Sequence, residues 1–173
     1  MATEYRSTTG QRTETEPKQG ELLITREFDA PVSLVWQTWT DPKRAMRWWG
    51  PKGYTSPYCK IDLRVGGKNL SCMRSPEGND IWSTGVFREI IPMKRIVTTD
   101  SFADESGNVV PASYYGMDPN FPREMLVTVT FTDLGGKTRL TLRHASFPTD
   151  KDCEDAQSGW RESLDKLAEV LKS

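Results

Sequence analysis

The chain carries one histidine and three cysteines in 173 residues, and any chemistry would begin with these. His144 alternates with Leu140 and Leu142, so it shares their face of a strand and points inward if they do. An inward imidazole is either a proton acceptor or polar anchor for a bound molecule, or a core histidine bonded to a backbone carbonyl. General-base work needs a second positioned group, and the sequence identifies none. Cys59, Cys72 and Cys153 form no CxxC pair and lack the close ligand spacing of a zinc site, so no metal is expected. Cys59 and Cys72 flank Gly66-Gly67, and a hairpin there would bring them close enough for a disulfide under oxidation. Gly136-Lys137-Thr138 ends like a phosphate loop, but Phe131 stands where the earlier glycine is required and a strand follows. It is read as a hairpin turn, as is Gly66-Gly67-Lys68. No serine nucleophile elbow appears, and no cofactor is implied.

The stronger signal is apolar. The run from Phe28 to Pro51 holds Trp36, Trp39, Trp48 and Trp49, a large load on two very short helices that needs a concave partner. Adjacent helical residues point about 100° apart, so one of Trp48 and Trp49 faces a sheet and the other a different surface. The pair is either structural closure or part of a ligand cavity. Met73, Trp82, Phe87, Met125 and Trp160 are further candidate walls, with ordinary core packing as the alternative. Trp82 and Phe87 fall on opposite faces of a regular strand, and parity alone leaves open which one faces inward.

These side chains need elements to hold them. Glu21–Phe28 alternates and predicts a first strand, with Leu22, Ile24 and Phe28 on one side. Pro31 is expected at the first position of a helix whose Val32, Val35, Trp36 and Trp39 share a face. Asp41 is expected to cap a second helix carrying Ala45, Trp48 and Trp49 and ending at Gly50-Pro51. Strands are predicted over 57–65, 68–75, 80–91, 94–101, 123–132 and 138–146, joined by short turns into an antiparallel meander. Residues 102–122 break that rhythm with glycines, prolines and aromatics, and read as a loop that packs on something. A final helix over 152–172 carries Trp160, Leu164, Leu167, Ala168 and Leu171 as one stripe, with Asp152, Glu154 and Asp155 at its positive end. The fold class is α+β, a seven-stranded antiparallel sheet with its long helix stripe buried against one face.

Residues 1–19 lack Leu, Ile, Val, Phe and Trp and are read as a flexible polar tail ahead of one domain over 20–173. That head has no apolar core for a secretory signal, and no run approaches the length of a membrane span. A net charge of −1 with interspersed signs gives no basic stripe for nucleic acid. The unpaired cysteines suit a reducing compartment, so a cytoplasmic location is expected.

Several ordered motifs together resemble a known family. They are Ile24-Thr25-Arg26-Glu27-Phe28-Asp29-Ala30-Pro31, Val35-Trp36 with Trp39-Thr40-Asp41-Pro42, and Arg47-Trp48-Trp49-Gly50-Pro51. Asp62-Leu63-Arg64-Val65-Gly66-Gly67, Gly85-Val86-Phe87-Arg88-Glu89-Ile90 and Thr138-Arg139-Leu140-Thr141-Leu142 continue the match over roughly 21–172. The sequence resembles the START-like helix-grip (SRPBCC) superfamily, in its bacterial branch similar to the C-terminal domain of the ATPase activator of the ninety-kilodalton heat-shock chaperone. That resemblance implies a curved sheet gripping the C-terminal helix, closed at one end by two short helices. An aromatic- and methionine-rich interior with few convergent ionisable groups favours a small hydrophobic ligand held between sheet and helix, with Trp48, Trp49, Met73, Trp82, Phe87, Met125, His144 and Trp160 as the candidate pocket. A chaperone is the alternative partner, although the polar head is too short for the activator's additional N-terminal domain. A cyclase or hydrolase acting on an apolar substrate is the third reading, with no catalytic residue assigned. The protein is expected to be a monomer or homodimer.

Overall fold

Strands with an apolar residue at every second position bury one face, and here that face becomes a single surface seven strands wide. A computed structural model describes residues 16–173, and most of the expected polar tail, residues 1–15, lies outside the described residues. The strands are β1 (Leu22–Phe28), β2 (Thr55–Ile61), β3 (Lys68–Arg74), β4 (Asp80–Ile91), β5 (Arg95–Ala103), β6 (Met125–Asp133) and β7 (Thr138–Ala145). Helices α1 (Val32–Thr40) and α2 (Pro42–Ala45) follow β1, and α3 (Asp150–Leu171) ends the chain. The sheet is antiparallel in the order β1-β7-β6-β5-β4-β3-β2 and curls as a half-barrel around α3.

Register fixes the concave face. Leu22 opposes His144, which opposes Val127, which opposes Thr98 and then Phe87. Ile24, Leu142, Val129 and Ile96 form the next row. Leu164 and Leu167 of α3 are fully buried against this face, together with Leu140, Leu142 and Val35. Among the described residues no helix is long and apolar enough to cross a membrane.

Several boundaries differ from the sequence expectation. Pro31 is extended (φ −65°, ψ 151°) and sits at the N-cap position just outside α1, not at its first helical position. The second helix stops at Ala45, and Trp48 and Trp49 sit on the turn beyond it. β2 ends at Ile61 because the backbone curls inward there: Gly67 N–H donates to Arg64 O at 2.8 Å. A Cβ on Gly67 would lie 2.1 Å from the Asp62 carbonyl oxygen, so only glycine fits that turn. β5 runs on to Ala103, and the chain folds back through a bridge between Ala103 and Val109 to a 3₁₀ turn at Ala112–Tyr115. Helix α3 starts at Asp150, where the Thr149 hydroxyl accepts from the Asp152 N–H at 3.1 Å.

Candidate functional site

A helix laid into a curled sheet leaves space wherever the facing side chains are small. On α3 the small residues Ala156, Gly159 and Ser163 face the sheet one turn after another, N-terminal to the sealed end at Leu164 and Leu167. A cavity of about 540 Å³ opens beside them. Its sheet wall is Met73 of β3, Ile81 and Ser83 of β4, Asp100 to Phe102 of β5, Met125 of β6 and His144 of β7. Its rim includes Gly50, Pro51 and Tyr54 on one side and Met117, Phe121 and Pro122 on the other. The expected loop therefore packs as a wall: Phe121 stands edge-on to Phe102 and to Phe147, with ring centres 6.0 and 6.1 Å apart.

A second, smaller cavity of about 100 Å³ lies beside the tryptophan cluster. Trp49, Ser83, Asp100 and Trp160 border both spaces and form the neck between them. Trp160 meets Trp49 edge-on at 5.4 Å and lies parallel to Trp39 at 6.2 Å, while Trp39 packs on Trp48 at 4.7 Å. The Trp48 indole N–H is satisfied by Thr38 O at 2.9 Å. The smaller cavity also carries a polar strip, with Asn69 donating to Thr98 Oγ1 at 3.3 Å and the Ser71 and Ser83 hydroxyls 3.2 Å apart. The Cys59 thiol on its wall is pushed up to about 11, first by burial and then by Asp41. Such a thiol is not a nucleophile near neutral pH.

His144 is 6% exposed and, with Ser101 and Ser163, is one of the buried polar residues lining the larger cavity. Its Nδ1 accepts from the Trp160 indole N–H at 3.0 Å. An accepting Nδ1 leaves the ring proton on Nε2. That Nε2 lies 3.0 Å from Asp100 Oδ2, but the carboxylate sits off the N–H axis. The two groups are in close contact, yet Nε2–H finds no aligned acceptor among the described residues. The arrangement presents a donor and an acceptor side by side at the neck of an apolar cavity.

Lys166 anchors the rim. Its ammonium donates to the carbonyls of Gly50 at 3.0 Å and Tyr54 at 3.1 Å, with those of Trp49 and Pro51 at 3.4 Å. Burial lowers its pKa. Gly50 has φ +98°, and a Cβ there would press on Tyr54 Cβ at 3.2 Å, so the turn that seats Trp49 depends on that glycine.

Trp49, Met73, Met125, His144 and Trp160 come together on the larger cavity, and Trp48, Trp49, Phe87 and Trp160 on the smaller one. Trp82 lies on the opposite face, against Tyr58 at 5.4 Å, and lines neither space. The strand is regular between Trp82 and Phe87, with its bulge only after Phe87, so parity sends the two to opposite faces. The expected approach of Cys59 and Cys72 does not occur. Cys59 opposes Ser71 and Cys72 opposes Tyr58, which puts the two thiols on opposite faces of the sheet. Asp100, Gly159 and Lys166 were not anticipated as site residues. A glycine in the middle of a long helix was the one signal that could have pointed to the cavity, because helices keep glycine there for a packing reason.

A family model described as "Activator of Hsp90 ATPase homolog 1-like protein" matches residues 29–172. No curated protein shows significant similarity to the chain. Among solved structures, a Nitrosomonas europaea protein is 28% identical, with 88% of this chain and 94% of that one covered at a TM-score of 0.69. An Arthrobacter aurescens protein is also 28% identical, covering 88% and 86% at a TM-score of 0.73. The AHSA1 protein of Silicibacter pomeroyi is 25% identical, covering 88% and 97% at a TM-score of 0.70.

Proposed function

This chain belongs to the activator of Hsp90 ATPase homolog 1-like family, and on that premise we propose that it binds a small apolar molecule between sheet and C-terminal helix. The observation that carries the reading is the cavity of about 540 Å³, walled by Met73, Met125, Phe121, Trp49 and Trp160. That volume falls within the roughly 300–1,000 Å³ of ordinary ligand sites. Methionine and aromatic walls suit a ligand whose affinity comes from apolar burial. Catalysis by His144 is not part of the reading, because Trp160 occupies Nδ1 and Nε2 holds the proton.

The test is thermal unfolding of the full chain with sterols, flavonoids and naphthalene. A ligand at a hundred times its Kd adds about 2.7 kcal/mol. For a chain of this length that is a rise of roughly 5–10 °C. Gly159→Phe, whose side chain enters the cavity, should fold and lose the response. If no molecule moves the wild-type transition, the reading fails.

The family description supports a second reading, regulation of a heat-shock chaperone ATPase. Purified chaperone mixed with this protein tests it, and no binding together with no change in ATP turnover removes it.

A further inference from the structure

One polar group on the wall of the larger cavity is left unsatisfied. His144 is more than nine-tenths buried, and its Nε2–H has no aligned acceptor among the described residues. A buried donor left unpaired is destabilising, so such a group marks a place where a partner belongs. Beside it, 3.0 Å away, is the Asp100 carboxylate, an acceptor that borders both cavities. Asp118 and Asp152 add further carboxylates to the wall of the larger space, as does Asp155, which Lys151 pairs at 2.9 Å from outside, and no lysine or arginine lines it among the described residues.

Building on the ligand-binding reading above, we infer that the cavity takes a neutral apolar molecule bearing a hydroxyl group, which accepts from His144 Nε2–H and donates to Asp100. The geometry admits this directly. A hydroxyl oxygen about 2.8 Å from each atom closes a triangle on the 3.0 Å edge between Nε2 and Oδ2. Other head groups satisfy only half of the pair. A carboxylate would accept from Nε2–H but lie against Asp100 and the acidic wall. A ketone would accept from Nε2–H while turning its lone pairs toward Asp100. An ammonium would pair with Asp100 but meet the imidazole N–H, donor against donor. Trp160 holds the imidazole in this state, since rotating or protonating Nδ1 would break the 3.0 Å indole bond. The apolar body then lies against Met73, Met125, Phe102 and Phe121 in the larger space.

The test compares naphthalene, 2-naphthol, 2-naphthoate and 2-naphthylmethylammonium by calorimetry on the full chain. The expected order has 2-naphthol at least about tenfold tighter than naphthalene, a difference one charge-assisted hydrogen bond supplies. The naphthoate binds more weakly than naphthalene, and the ammonium no tighter than the naphthol. In Asp100→Ala the ratio between naphthol and naphthalene collapses toward one. A measurement without mutation accompanies it: the single histidine gives one ring N–H resonance, which moves with naphthol and not with naphthalene. Naphthalene binding with no preference for naphthol, an ammonium that binds tightest, or a preference that survives Asp100→Ala overturns the inference alone. Failure of both naphthalene and naphthol to bind overturns the cavity reading and the inference with it.

Discussion

Trp160→Phe tests the contact that organises the site. The substitution keeps a ring between Trp49 and Trp39 but deletes the indole N–H that reaches His144 Nδ1 at 3.0 Å. Its cost has two parts. The bond itself is worth about 1 kcal/mol net, and stranding the acceptor of a residue only 6% exposed adds about 1 kcal/mol or more. A loss near 2 kcal/mol is expected, which lowers the melting temperature by roughly 4–8 °C in a chain of this length. His144→Phe removes the same bond from the other side and strands the indole N–H. The double variant has neither stranded group, so its loss should fall short of the sum by about 1–2 kcal/mol. Urea unfolding of the four proteins measures that coupling. A coupling below about 0.3 kcal/mol, the scatter of independent sites, would refute the role assigned to the contact.

Three further outcomes follow from single positions. Gly159→Ala should raise stability by up to about 1 kcal/mol in thermal unfolding, because the new Cβ meets only Pro51 Cγ at 3.5 Å and the helix gains a better former. Met93 holds φ 61° in the turn between β4 and β5, where Lys94 N–H donates to Ile91 O at 2.9 Å, so Met93→Gly should add about 0.5–1 kcal/mol against urea. Arg26 first, and then Lys52, hold the Asp165 carboxyl below the usual carboxylate range. A depressed folded-state pKa gives stability that is present above the unfolded value and lost as pH falls through the folded one. Asp165→Asn should therefore lower the melting temperature at neutral pH, with the deficit shrinking once the pH drops below about 4.

Alternation alone placed Leu22, Ile24 and Phe28 on the buried side of β1 and turned His144 inward with Leu140 and Leu142. A period of two survives in those strands because one face is covered by α3. The stripe from Trp160 to Leu171 was legible for the same reason at the helical period. The cavity was harder to see, since it arises from what Ala156, Gly159 and Ser163 lack. A search for apolar stripes passes over small residues. Asp100 escaped notice because its partner is 44 positions away and meets it only through β6, via the pairings of Asp100 with Met125 and of His144 with Val127. The end of β2 was overrun because Asp62-Leu63-Arg64-Val65 continues to alternate, while Gly67 draws the backbone into a turn. In the fold Trp48 closes the core and Trp49 turns to the cavity, a division set by the turn after Ala45.

Methyl-labelled methionine gives the most direct test of a ligand cavity between sheet and helix. Met73, Met117 and Met125 line the larger space, whereas Met93 is exposed on a distant hairpin turn. On titration with naphthalene the account predicts that the methyl resonances of Met73, Met117 and Met125 shift and saturate together while Met93 stays fixed. Unmoved resonances at the solubility limit of the probe, or a shift at Met93 as large as the others, would contradict it.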